Sequence, residues 1–173
     1  MKSTTSTIEP AQFRNVMGHF ASGVTVITYH RGGVPAGMTA NAFMSVSMNP
    51  PLILVSVRET SQFIGHVGLG SHYGVNILAE HQQNLSLHFG GRSIEGLEVP
   101  FDQTLAAPLI QGSLAHMVAR VIDIHKAGDH VLYIAQVEHL HCGNEAKPLI
   151  FYSGAYKQIH THDPVQWSSE FGW

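Results

Sequence analysis

Between Val34 and Val57 the chain reads VPAGMTANAFMSVSMNPPLILVSV, and small or hydroxyl-bearing residues gather at its centre. Gly37, Thr39, Ala40, Ala42, Ser45 and Ser47 lie between a strand-like run and the apolar Leu52–Val57. Small side chains let a flat ligand lie close to the backbone, and each exposed N–H can donate a hydrogen bond. Such a stretch suits a pocket floor better than a core. By spacing alone Thr39-Ala40-Asn41 also fits a tight turn, where asparagine is common.

Other residue types bear on chemistry less directly. Gly128-Asp129-His130 reads by itself as a hairpin turn with a histidine at its edge. His139 and His141 fall on one face of a strand, as do His160 and His162 on a later stretch, so each pair offers two metal ligands. Neither pair has a cysteine or acidic residue at a familiar spacing, so no metal is assigned. Cys142 is the only cysteine. It lacks the His and Asn pattern of a nucleophile and leaves no internal disulfide. No GxGxxG follows a strand, which argues against a Rossmann dinucleotide site.

Several segments together resemble the short-chain flavin reductases, which feed reduced flavin to two-component monooxygenases. They are Ala21-Ser22-Gly23-Val24-Thr25-Val26-Ile27-Thr28, Gly37-Met38-Thr39-Ala40-Asn41, Ser45-Val46-Ser47 with Pro50-Pro51, Val75-Asn76-Ile77-Leu78, Gly128-Asp129-His130 and Pro148-Leu149-Ile150-Phe151-Tyr152. They occur in the family's order over about Phe13 to Ile159.

The resemblance implies a dimeric split β-barrel of Greek-key, FMN-binding type, with flavin (FMN or FAD) in a groove near the interface. It implies flavin contacts at Gly37, Met38, Thr39, Ala40, Asn41, Ser45 and Val46, with Ser56 and Val57 on the next strand. Ala42 stands where members often carry serine, which removes one hydroxyl. A flavin phosphate needs an anion site, and Ser61 and Gln62 at a helix start would supply free N–H groups. Arg92 would add charge, with Arg58 as its rival. The resemblance also sets His130 against the nicotinamide of NADH or NADPH, with Tyr152, Ser153, Gly154 and Ala155 as the matching segment. Hydride transfer between two stacked rings needs no carboxylate pair or triad.

The elements that must position these residues follow from pattern. Phe13, Val16, Met17 and Phe20 recur at helical spacing, so a helix capped by Thr7 is expected to close one end of a sheet. Val24–His30 and Val34–Thr39 read as a hairpin, Leu52–Val57 as a buried strand, and Tyr73–Leu78 as another. Short helices are expected from Gln62 to about Val67 and from Glu80 to Phe89. Ala115–Lys126 and His130–Cys142 read as two long strands. Their mixed parity, with Val118, Ile122 and Ile124 against Met117, Ala119 and Val121, suggests burial on both faces. Leu149–Tyr152 reads as a last short strand, and 160–173 as a tail. Many strands, few helices and no βαβ alternation argue a mainly β barrel with added helices.

Bulk properties narrow the classes. A chain of 173 residues fits one domain, with its core over about 10–159. Hydrophobic residues make up 44% and charged residues 12%, which leaves room for a subunit interface. A net charge of −3 argues against nucleic acid. No apolar run suits a signal peptide or a bilayer span, so a cytoplasmic protein is expected. The function expected is an NAD(P)H-dependent flavin reductase with a homodimeric form and a monooxygenase partner. The alternative is a cofactor-binding protein on the same barrel without NAD(P)H turnover.

Overall fold

The computed structural model describes residues 8–143 and 145–160. After α1 (Pro10–Gly18) come β1 (Ser22–Gly23), β2 (Thr25–Arg31), β3 (Val34–Ala40), β4 (Phe43–Met48) and β5 (Pro51–Arg58). A 3-10 turn at Gln62–Gly65 leads to β6 (His72–Ile77), and a second at Glu80–Gln82 runs into α2 (Gln83–Phe89). β7 (Phe101–Asp102) and β8 (Leu109–Ile110) form a small ribbon. The long hairpin β9 (Ala115–Ala127) and β10 (His130–Cys142) follows, then β11 (Ile150–Tyr152) and β12 (Ala155–Lys157).

Seven strands pair in the order β3-β2-β6-β9-β10-β5-β4. The two edge strands, β3 and β4, are joined only by Asn41-Ala42. That connection can span at most roughly 11 Å. The sheet must therefore roll until its edges meet, although no ladder joins them among the described residues. The result is the expected split barrel. The Ser56 amide donates to the Ala42 carbonyl at 3.0 Å and pins the crossing to β5. The stretch expected as an irregular pocket floor is largely strand, with a bulge at Val46 where the β4–β5 register shifts.

Strand alternation fills the barrel. Ile27 and Tyr29 of β2, Val55 and Val57 of β5, Tyr73 and Val75 of β6, and Tyr133 of β10 point inward. Phe63, fully buried in the first 3-10 turn, packs edge-on to Tyr133 at 5.0 Å and Tyr29 at 5.2 Å. A second core lies outside the wall. There Val24, Val26 and Leu78 meet Leu85, Ile110 and Leu149. β2 is thus covered on both faces, which is why its sequence alternates only weakly.

Asn76 sits between the two cores and is fully buried. Its amide donates to the Val26 carbonyl at 2.9 Å and the Thr28 hydroxyl at 3.0 Å, and its oxygen accepts the Ile110 N–H at 2.7 Å. The Thr28 hydroxyl donates in turn to the Pro108 carbonyl. A Cβ on Gly74 would stand 2.6 Å from that carbonyl oxygen, so only glycine fits there.

Two expectations need correction, and the burial of β9 on both faces gains its physical cause. Phe13, Val16, Met17 and Phe20 do not close the barrel: α1 buries none of its residues, and Phe20 is 75% exposed. Phe63 and its aromatic neighbours already fill the interior. Among the described residues α1 is tied down at its C-terminal end, where Gly18 accepts the Ser153 N–H at 2.9 Å and the ring of His19 meets that of Tyr152. The mixed parity of β9 has two causes. Val118 is covered outside by Ala107 and Leu109. Ile124 faces inward with Val121 because a bulge between them shifts the register. The short helices are also tighter than expected, with four residues of 3-10 turn at Gln62 and a 3-10 start to the second. The Thr7 cap and the stretch 161–173 lie outside the described residues.

The far end of the long hairpin carries a stack of imidazoles. The ring of His116 lies 5.1 Å from that of His141 and 6.4 Å from that of His139. Nδ1 of His116 is buried without a hydrogen-bond partner among the described residues. Burial first, then the two neighbouring histidines, hold His116 below its ordinary 6.5, while Asp102 opposes the shift. The folded chain therefore binds this proton less tightly than the unfolded chain. The stability that follows is present above pH 6.5 and is lost as pH falls through the depressed folded value. The urea midpoint is expected to fall between about pH 7.5 and about pH 5.5, and to fall less in a His116→Gln protein. Equal falls in the two proteins would remove His116 from the account.

Candidate functional site

A groove of about 720 Å³ opens along the split of the barrel. Thr39 and Asn41 form its floor at the end of β3, beside Val24 and the Arg58 side chain at the end of β5. α2 supplies one wall through Gln83, Ser86, Leu87 and Gly90, with Arg92 just beyond. The β11–β12 hairpin supplies the other through Phe151, Gly154, Ala155 and Tyr156. Ser153 and Gly154 both have positive φ, 52° and 77°, which makes the tight two-residue turn of that hairpin.

Ser86 knits the walls together. Its carbonyl accepts the Thr39 hydroxyl at 2.7 Å, and its own hydroxyl lies 2.8 Å from that of Tyr156. Floor, helix and hairpin thus meet at one buried serine. Arg58 and Arg92 give the groove two cations, and both side chains are exposed. Opposite Arg58 in the β5–β10 ladder stands His130. Nδ1 of His130 is 2.8 Å from the Asp129 carboxylate, which leaves Nε2 uncommitted to that pair. This hydrogen bond, then the charge of His130, hold the Asp129 carboxyl below its ordinary range, and Arg58 adds to the effect.

Of the residues singled out in the sequence, the groove gathers Thr39, Asn41, Arg92, Gly154 and Ala155, together with Arg58. Others lie elsewhere. Gly37 is small because Phe89 and Val26 crowd it, a Cβ there standing 3.0 Å from the Phe89 ring. Met38 packs on the barrel core, and its Sδ lies 3.3 Å from the Ser61 hydroxyl. The Ala40 carbonyl accepts the Thr25 hydroxyl at 2.6 Å. Ser45 and Val46 are exposed on the edge strand β4. Val57 points into the core, 2% exposed, and pairs with Val131 of β10, while Ser56 faces the other way. Ser61 caps Phe63, and the Gln62 side chain accepts from Arg31. Neither lines the groove. Tyr152 and Ser153 face the end of α1.

The α2 wall and Tyr156 were not found from sequence, although a signal existed. Gln83, Ser86, Leu87 and Gly90 recur at i, i+3, i+4, i+7, a stripe that alternates with the inward Leu85 and Phe89. Among the described residues no cluster of His, Cys, Asp or Glu is arranged to hold a metal ion.

Residues 17–160 match the flavin reductase like domain family, and the chain belongs to it. It is 39% identical over 155 residues to an NADH-dependent flavin reductase from a Rhodococcus species, covering 88% of each chain. It is 35% identical over 171 residues to the reductase subunit HsaB of a flavin-dependent monooxygenase from Rhodococcus jostii, covering 94% of this chain and 86% of that one. The structure of flavin reductase PheA2 in its native state superposes with a TM-score of 0.82 at 40% identity, over 89% of this chain and 100% of that chain.

The Thr39 hydroxyl is committed to Ser86, so its first effect is on the walls. A Thr39→Val protein is expected to lose about 1 kcal/mol of stability. That is roughly 2–4 °C in melting temperature for a chain of this size. Full stability with weakened ligand binding would instead assign the hydroxyl to the ligand.

Proposed function

We propose that this chain is an NADH-dependent reductase of FMN or FAD that supplies reduced flavin to a flavin-dependent monooxygenase. The observation that carries the reading is the groove at the barrel split, with one open amide, two arginines and aromatic walls, in a chain of the flavin reductase like family. The groove's volume falls in the range of small-molecule and cofactor sites. Its donor set fits a flavin: Asn41 suits the polar edge of a flat ring system, and Arg58 or Arg92 suits a phosphate.

When bound, the flavin accepts a hydride from the nicotinamide. The chain's own task is to hold two flat rings in register and exclude water between them. Phe151 and Tyr156 give the groove an apolar wall, and Ser86 keeps that wall at a fixed distance from Thr39 and Asn41. His130 contributes to nicotinamide binding through Nε2, with Asp129 holding the ring by the other nitrogen. Arg58, its ladder neighbour, brings His130 within reach of the groove's end.

The chain acts as one flavin reductase-like domain that pairs with a second copy. The support is an apolar face that covers nothing among the described residues. Phe13, Val16 and Phe20 are each more than half exposed, as are Met44 and Met48 on the edge strand β4. An amphipathic helix that buries nothing among the described residues calls for another surface. A cytoplasmic setting accords with the free thiol of Cys142.

The reading predicts a yellow complex with added FMN or FAD that NADH bleaches without oxygen. Yellow colour without bleaching would make the chain a flavin binder only. In His130→Ala, flavin affinity and thermal stability are expected to hold, the latter within about 0.5 kcal/mol. The KM for NADH should rise or kcat should fall. Unaltered NADH kinetics would return Gly128-Asp129-His130 to a plain turn. Light scattering at micromolar concentration is expected to give twice the chain mass, and to give a single chain in a Val16→Asp, Phe20→Asp protein. A monomeric unmutated protein would overturn the second-copy reading.

A further inference from the structure

A second hollow of about 420 Å³ adjoins the groove. The two share Gln83 and Tyr156 as walls, so they form one trough with a step at that pair. The step is held in place: the Tyr156 hydroxyl lies 2.8 Å from that of Ser86, and its ring sits edge-on to Phe151. Beyond it Glu80, Lys157 and His160 line the hollow together with the buried Leu149. Among the described residues no ion pair engages Lys157 or Glu80. Lys157 ends β12, and Glu80 opens the 3-10 turn before α2, so both ride on elements that wall the main groove.

We infer that this second hollow receives the adenosine diphosphate half of a dinucleotide whose redox-active half lies in the main groove. The inference rests on the flavin reductase reading above. A cation and a carboxylate lining one hollow select for a ligand that is itself of two kinds. A bare anion would meet the like charge of Glu80, and a neutral sugar would leave Lys157 unanswered. Adenosine diphosphate answers both. Its phosphates suit the Lys157 ammonium. Its ribose hydroxyls or purine amine donate to Glu80, as ribose hydroxyls do to acidic residues in other dinucleotide sites. The purine ring finds flat partners in Tyr156 and His160. FAD and NADH both carry this half, whereas FMN does not. Lys157 and Glu80 thereby become specificity-determining residues for the dinucleotide ligand, while the single-nucleotide flavin needs only the main groove.

The test compares the unmutated protein with Lys157→Glu and Lys157→Arg, using ADP itself as the probe. ADP titrated by calorimetry is expected to bind the unmutated protein. Its affinity should fall on the order of tenfold in Lys157→Glu and recover in Lys157→Arg. FMN affinity and melting temperature should be unchanged in all three, because Lys157 is exposed and lies outside the main groove. A weaker FAD affinity in Lys157→Glu with unaltered NADH kinetics assigns the hollow to FAD. A raised KM for NADH, measured with FMN as acceptor, assigns it to NADH. If ADP does not bind, or if ADP, FAD and NADH are all indifferent to Lys157→Glu, the inference is overturned. Failure of the unmutated protein to bind FMN or oxidise NADH would sink the flavin reductase reading instead, and the ADP titration would still judge the hollow by itself.

Discussion

The buried amide of Asn76 is the interaction on which the site depends. It sits in a wall strand with apolar surface on both sides, where an unpaired polar group costs about 1–3 kcal/mol. All three of its bonds are local in space and distant in sequence: Val26, Thr28 and Ile110. Through Ile110 it clips the β7–β8 ribbon to the outside of the barrel. Phe101 on that ribbon meets Phe89 at the end of α2 with ring centroids 6.3 Å apart. Phe89 also fills the space that Gly37 leaves open on β3. The groove wall formed by α2 therefore takes its position from a side chain that never touches the groove. Gly74 completes the constraint, since any larger residue would push Pro108 and Thr28 away from the sheet.

The second constraint is topological. Two residues join the edges of a seven-stranded sheet, so Asn41 is held at the seam whatever its side chain does. Elsewhere in the rolled sheet, backbone donors and acceptors are satisfied by neighbouring strands. At the seam they are not paired across, and polar groups stay available to something other than protein. Asn41 is exposed while Thr39, two residues earlier, is already committed to Ser86. That difference separates a residue left open to the groove from a residue that positions the walls, within a single short motif.

How much of this could be read in the sequence depended on where the physical cause lay. Strands β2, β3, β5, β6, β9 and β10 were legible because their side-chain patterns are local, and the turn glycines punctuated them. The Ser153-Gly154 dipeptide signals a turn, and the segment that the resemblance marks for binding contains that turn, with Gly154 and Ala155 lining the groove. The α1 stripe was read at the right spacing with the wrong partner, because periodicity reports that a face is apolar and not what covers it. Gly37 looked like an approach for a ligand, yet its neighbour is Phe89, some fifty residues later. Ile124 changed sides because one bulged residue resets the alternation, which no parity count anticipates. Ser86 escaped notice since a buried serine on a short helix is unremarkable until Thr39 and Tyr156 are known to meet it. The arginine question had the same origin: Arg58 and Arg92 are far apart in sequence and line one groove.

The attachment of α1 carries a consequence for energetics. The helix is held at one end, by Gly18 to Ser153 and by His19 to Tyr152. Those two residues open the turn whose next three, Gly154, Ala155 and Tyr156, form a groove wall. Any surface that grips α1 therefore restrains the hairpin through a single hydrogen bond and one ring contact, and lowers the entropy the wall has left to lose. Linkage makes the effect mutual: a ligand that orders the wall strengthens the grip on α1 by the same factor. Association through α1 and occupancy of the groove would then be two readings of one equilibrium, joined at Ser153.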